Sequence, residues 1–120
     1  MTKDNFRSEQ YLSRFGGIAR LYGLDALDVL QHSHVAIIGL GGVGSWAAEA
    51  LARSGIGQLT LVELDDICIT NTNRQLHTLS STIGQQKNAT LSQRLKDINP
   101  DIRLNSLEDF LTPKNIAELI

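Results

Sequence analysis

Residues 34–63 read HVAIIGLGGVGSWAAEALARSGIGQLTLVE, and this stretch decides the fold. Val35, Ala36, Ile37 and Ile38 form a short continuous apolar run rich in β-branched residues, the composition of a parallel strand buried on both faces. Gly39, Gly41 and Gly44 follow as G-x-G-x-x-G. Such glycines allow a tight turn, a close approach of backbone to a phosphate, and close packing of helix on strand. Val43, Trp46, Ala47, Ala50 and Leu51 then fall at helical spacing as far as Arg53, with Gly55 and Gly57 as stop signals. Trp46 and its alanines read as core. Leu59, Leu61, Val62 and Leu64 make a second strand, and Glu63 lies near its end, about 20 residues past the turn, where a nucleotide fold places an acid for the ribose hydroxyls. The unit is β-α-β.

Working outward, the N-terminal flank is mostly helical from Tyr11 to Leu30 but interrupted by Gly16, Gly17 and Gly23. It predicts a short helix, a bend, and a second short helix over Asp25 to Leu30. Arg14 and Arg20 read as solvated charges or ligand groups with equal ease. His32 and His34 would share a side of an extended segment, but no third metal ligand of suitable spacing is near.

On the C-terminal flank, Thr70 reads as an N-cap for one helical turn over Asn71 to Leu76. A longer helix runs from Gln85 to Ile98, with Ala89, Leu91, Leu95 and Ile98 inward and Asn99-Pro100 as its stop. Ile102, Leu104 and Leu107 alternate as a third strand, and Thr112-Pro113 starts another helix. The fold class is therefore α/β and Rossmann-like, a parallel sheet with helices on both faces. The series stops after the first half of a doubly wound sheet, so the chain reads as an incomplete N-terminal half. The division expected is a helical lead-in over 1–33 and a nucleotide-binding domain over 34–120.

Composition narrows the function. The 120 residues are 42% hydrophobic and 20% charged with a net charge of −2, ordinary for one globular domain and without an overall pull on nucleic acid. One cysteine excludes an internal disulfide framework. No apolar run approaches the roughly 18 residues of a membrane span, and the polar N-terminus lacks a signal-peptide core. The reading is cytoplasmic.

A dehydrogenase and an ATP enzyme part company after the second strand. A triphosphate attacked at its α-phosphorus needs added positive charge along the leaving pyrophosphate. Asn71, Asn73, Arg74, Gln75 and Lys87 supply donors and two cations there, which favours ATP over NAD. Cys68, between Ile67 and Ile69, reads as a packed thiol, and His77 as a hydrogen-bonding residue at a helix end.

GLGGVGSWAAEALARSGIGQLTLVELDD, followed by TNTNRQLH and IGQQK, resembles the adenylation domain of the family that includes ubiquitin-activating enzymes and the bacterial enzymes that adenylate sulfur-carrier proteins. Within it, RFGGIARLYG, Trp46 and DDICITNTNRQLH look most like the bacterial tRNA threonylcarbamoyladenosine dehydratases. The resemblance implies that Gly39, Gly41, Gly42 and Gly44 hold phosphates, Glu63 the ribose, and Asp65 the next acid position. It implies that Asn71, Arg74 and Gln75 answer N-x-x-R-Q, with Arg74 and Lys87 as the catalytic cations. ATP with magnesium, a tRNA substrate, a homodimer and a cysteine desulfurase partner are likewise implied. Gly17 stands where the family often has an arginine that reaches the neighbouring subunit's γ-phosphate, so Arg14 or Arg20 would have to replace it. The magnesium-binding aspartate is expected beyond Ile120, so this chain alone is expected to bind ATP poorly and to turn over nothing. Other readings are an adenylyltransferase for a ubiquitin-like sulfur carrier, a non-catalytic nucleotide-binding or dimerisation module and, last, a Rossmann dehydrogenase.

Overall fold

The computed structural model describes residues 8–119. Two helices, α1 (Glu9–Tyr22) and α2 (Leu24–Gln31), lead into β1 (His34–Ile38), α3 (Gly44–Arg53), β2 (Gln58–Val62), a 3-10 helix (Ile69–Asn73), α4 (Lys87–Ile98), β3 (Arg103–Leu107) and α5 (Ile116–Leu119). No helix among the described residues is long and apolar enough to cross a membrane.

Helix α1 runs unbroken through Gly16 and Gly17, which were expected to interrupt it, and the break before α2 falls at Gly23, the third glycine named. Two interior glycines cost a helix about 1 kcal/mol each. Against that, Tyr11 and Phe15, one turn apart, are buried on Leu27 with their rings 4.8 Å apart, and the Tyr11 hydroxyl donates to the Gly55 carbonyl at 2.6 Å. Burying two aromatic side chains contributes about 1.5–3 kcal/mol apiece, so tertiary packing wins. Ser8 caps the helix by accepting from the Tyr11 N–H.

The three strands are parallel in the order β1-β2-β3, with Ile37 level with Leu61 and Leu59 level with Leu104. Strand β2 is central, and Leu59 to Val62 are all buried. Strand β1 is an edge: Ile37 is buried, but Ile38 is 53% exposed, so the apolar run is not covered on both faces as its composition suggested.

Helices α3 and α4 pack on the same face of the sheet. Both crossovers step the same way across the sheet, and α3 and α4 lie in contact with each other, as two right-handed connections in one direction require. Ile37, Leu59 and Leu61 meet Ala48, Ala52, Leu91 and Leu95 there in one core. Thr60 belongs to the opposite face, where its hydroxyl bonds to His34 Nε2 at 2.6 Å and accepts from Asn105.

Along α4 the buried residues are Lys87, Asn88, Leu91 and Leu95, whereas Ala89 points to solvent, one position off the expected stripe. Thr112 and Asn115 cap each other's N–H groups, but residues 113–115 form a turn and α5 starts at Ile116, three residues later than Pro113, where it was expected to start.

Candidate functional site

The turn between β1 and α3 closes on itself. Gly39 has φ 89°, and a Cβ placed on Gly44 would sit 1.8 Å from the Gly39 carbonyl oxygen. Only glycine can occupy position 44 with this geometry. Past the turn, the N–H groups of Gly41, Gly42 and Val43 make no backbone bond among the described residues. These are the open donors of a helix start at the carboxyl end of a parallel sheet, where the dipole also favours an anion.

Glu63 leaves the end of β2 and reaches back to this turn. One carboxylate oxygen accepts from the Leu40 N–H at 2.7 Å, the other from Leu64 and Asp65 at 3.0 and 3.1 Å. Burial works against its charge. The N–H groups of Leu40, Asp65 and Leu64, with the nearby Lys87 ammonium, outweigh that and hold the carboxyl below its ordinary range.

The segment after β2 folds over the turn. Its 3-10 helix is capped by Cys68, not Thr70: the sulfur and the Asn71 side chain each accept a backbone N–H from the other residue. Cys68 is exposed rather than packed, and the Thr70 hydroxyl donates to its sulfur at 3.2 Å. Asn71 is thus largely occupied within its own loop. Asn73 accepts from Arg74 Nη1 at 3.0 Å, and the Thr70 carbonyl accepts from the same nitrogen. The Arg74 side-chain carbons lie over Gly42, and the Gln75 amide lies beside Gly41. Gln75 is buried, and its Oε1 finds no hydrogen-bond partner among the described residues.

Trp46 is not core. It is 51% exposed, and its Nε1–H donates to the Arg74 carbonyl at 2.8 Å. His77 is buried and donates from Nε2 to the Leu40 carbonyl, a hydrogen-bonding role as its place in the sequence suggested.

Lys87 opens α4. Its N–H donates to the Asp65 carbonyl, which ties the helix to the end of β2. The residue is only 6% exposed, yet its ammonium makes no hydrogen bond or ion pair among the described residues. That ammonium lies near Glu63 and helps hold its carboxyl ionised, with its donors left for an anion.

The glycine turn, Glu63, Arg74, Gln75 and Lys87 are therefore brought to one end of the sheet. Asp65 is exposed beside them. Arg14 and Arg20 are exposed on α1, where the Arg20 guanidinium lies over Gly16 and Gly17. No three histidine, cysteine, aspartate or glutamate side chains gather among the described residues. The groups present do not by themselves form a magnesium cage, so no chemistry is routed through that ion.

Two supporting residues escaped the pattern. Ser45 donates to the Gly41 carbonyl and accepts from the Leu76 N–H. Asn88 donates to the carbonyl of Leu61 at 3.1 Å, within reach of those of Glu63 and Leu107, and so holds the carboxyl ends of β2 and β3 together. The available signal was a polar residue on what must be the inner side of a helix start.

A model of the ThiF family matches residues 14–120. The tRNA threonylcarbamoyladenosine dehydratase of Escherichia coli (strain K12) is 50% identical over 111 residues, covering 92% of this chain and 41% of that protein. The protein of the same name from Haemophilus influenzae is 53% identical over 114 residues, 95% of this chain and 44% of that protein. The crystal structure of the E. coli tRNA N6-threonylcarbamoyladenosine dehydratase in complex with ATP superposes with a TM-score of 0.91 at 50% identity, covering 92% of this chain and 46% of that one. The chain thus spans less than half the length of the curated relatives it matches.

Proposed function

The chain belongs to the ThiF family, and from that premise we propose that it is the nucleotide-binding part of an ATP-dependent enzyme that adenylates and cyclises threonylcarbamoyladenosine in tRNA. The observation that carries the ATP site is the Lys87 ammonium, bonded to no side chain among the described residues, at the same end of the sheet as the open N–H groups of the glycine turn. Together they ask for a multiply charged anion. The Glu63 carboxylate, kept ionised and fixed by three N–H donors, is suited to accept from ribose hydroxyls.

The reaction starts when an oxygen of the threonyl carboxylate attacks the α-phosphorus of ATP. That O–P bond forms as the bond to the bridging oxygen breaks, and the electron pair leaves with pyrophosphate. Negative charge builds on the leaving group, so Arg74 and Lys87 bind the transition state better than the ground state. Losing one such donor costs about 2.7–4 kcal/mol, or about 100- to 1000-fold in rate. A neighbouring nitrogen or oxygen of the same modified base then attacks the acyl carbon and displaces AMP. A ring closes with net loss of water. Magnesium, a second copy of the chain and a cysteine desulfurase belong to the same reading and rest on family resemblance.

Isothermal titration of ATP and of NAD into this chain, beside Arg74→Ala and Lys87→Ala, tests the nucleotide site. ATP should bind in preference to NAD, and each variant should weaken it about 10- to 100-fold, the worth of a hydrogen bond to a charged group. NAD binding in place of ATP would sink the proposal.

A further inference from the structure

We infer that Trp46 is the positioning residue for Arg74, acting through its indole N–H; the inference rests on the ATP reading above. Trp46 lies in the first turn of α3, two residues after Gly44, and half of it faces water. Core packing does not account for a large aromatic so exposed. What the side chain does do is specific. Its Nε1–H reaches across 28 residues of sequence to the Arg74 carbonyl at 2.8 Å.

Arg74 needs such a tether. It sits just past the 3-10 helix with φ −150° and ψ −9°, outside any regular element. No intrahelical partner is available to its carbonyl. Its guanidinium has five donor hydrogens, and among the described residues only Nη1 is engaged, by the Thr70 carbonyl and Asn73. No acid pairs with it among the described residues. Held at Nη1, with its carbons on Gly42 and its backbone on Trp46, Arg74 keeps the remaining donors free over the glycine turn.

The three bonds that join this segment to the turn have different targets. His77 holds the Leu40 carbonyl, Ser45 holds the Leu76 N–H, and only Trp46 holds Arg74 itself. Trp46 therefore sets the direction of the cation, while the other two set the height of the segment above the turn. Pre-organisation of this kind lowers the ordering cost when a phosphate arrives.

The test is a double-mutant cycle on ATP affinity in this chain, with Trp46→Phe, Arg74→Ala and both together. Phenylalanine keeps an aromatic ring and deletes the donor. Trp46→Phe should weaken ATP about 2- to 10-fold, the worth of one neutral hydrogen bond, and should cost nothing further once Arg74 is alanine. An equal loss in both backgrounds would mean a general structural role, and no loss in either would mean no role; both overturn the inference. A readout independent of the Phe variant's folding is the indole N–H resonance of the single tryptophan in the sequence. It should shift with ATP in the wild-type chain and stay unmoved by ATP in Arg74→Ala. A resonance indifferent to saturating ATP in the wild type overturns the inference while leaving the ATP site standing. A wild-type chain that does not bind ATP at all overturns both.

Discussion

The Nε2–H of His77 donates to the carbonyl oxygen of Leu40 at 2.8 Å across 37 residues of sequence, and the ring is 2% exposed. With Nε2 committed as donor, Nδ1 is the acceptor for the Thr78 hydroxyl, which fixes a neutral tautomer. His77 is thus a strut beneath the glycine turn.

That strut predicts a pH dependence. Burial is the largest influence on His77 and lowers its pKa below the ordinary 6.5; Lys87 adds to this, against the Leu40 carbonyl and Glu63. The unfolded chain then takes up the proton first, so stability is fully present above about pH 6.5 and falls as pH drops toward the folded value. The urea midpoint should decline as pH falls below about 6.5, and His77→Gln should flatten that decline. His77→Ala, which strands the Leu40 carbonyl, should cost about 1–3 kcal/mol at neutral pH.

A second titration lies lower. Glu49 on α3 bonds Arg94 of α4, Nη2 to Oε2 at 3.2 Å, and pairs with Arg53 one turn along at 3.3 Å. The Arg94 hydrogen bond is the main reason its carboxyl sits below the usual value; burial opposes, and Arg53 assists. For an acid with a lowered folded pKa, the stability is present above the unfolded value and lost as pH falls through the folded one. Both arginines are well exposed, so screening keeps the contribution small. Glu49→Gln should cost about 0.5–1 kcal/mol at neutral pH, less in about 1 M salt, and nothing below the carboxylate range.

How much of this was legible depended on whether a residue's partner was local. Gly39, Gly44 and the apolar runs around them announced the β-α-β unit because their constraints are short-range: a turn, a strand, a helix against that strand. Trp46 and Cys68 were misread for the opposite reason. Helical spacing marks Trp46 as apolar at an inward-compatible position, but its partner is a backbone carbonyl 28 residues on, which periodicity cannot reveal. Cys68 lies between two isoleucines that split: Ile67 is buried and Ile69 is 65% exposed. Gly16 and Gly17 misled because propensity is a weak prior, and the aromatic packing that overrides it joins α1 to Leu27 and Gly55. The lysine at 87 was visible as a cation. That the residue is 6% exposed with its ammonium near Glu63 was not.

Lys87 separates binding from stability. Its ammonium lies near Glu63 and helps hold that carboxyl ionised, an attraction without a direct bond, so Lys87→Met, similar in length and apolar, should change the unfolding free energy by less than about 1 kcal/mol. The same variant should lose most of its ATP affinity. Urea denaturation with and without nucleotide checks both halves: the variant should start near wild type and gain little from ATP, whereas wild type should gain by mass action. A variant that gains as much from ATP as wild type would remove Lys87 from the nucleotide site.

Two glycines of the turn should separate fold from binding. At Gly44 an added Cβ meets backbone, 1.8 Å from the Gly39 oxygen, with Ile37 also within 3.3 Å. The Gly39 carbonyl is backbone and leaves no cheap escape, so Gly44→Ala should cost at least about 1–3 kcal/mol and distort the turn whether or not nucleotide is present. At Gly42 the atoms nearest an added Cβ belong to the Arg74 side chain, with Cγ at 3.3 Å and Cδ at 3.4 Å. Arginine can give way there, so Gly42→Ala should leave the urea midpoint nearly unchanged, and its effect should appear in ATP affinity through a displaced Arg74. The discriminating comparison is Gly42→Ala in the Arg74→Ala background, where the crowding is gone: the affinity loss should shrink to whatever the methyl group does to the open N–H groups alone. A full loss in that background would assign Gly42 a direct contact with phosphate instead of an indirect one through the arginine.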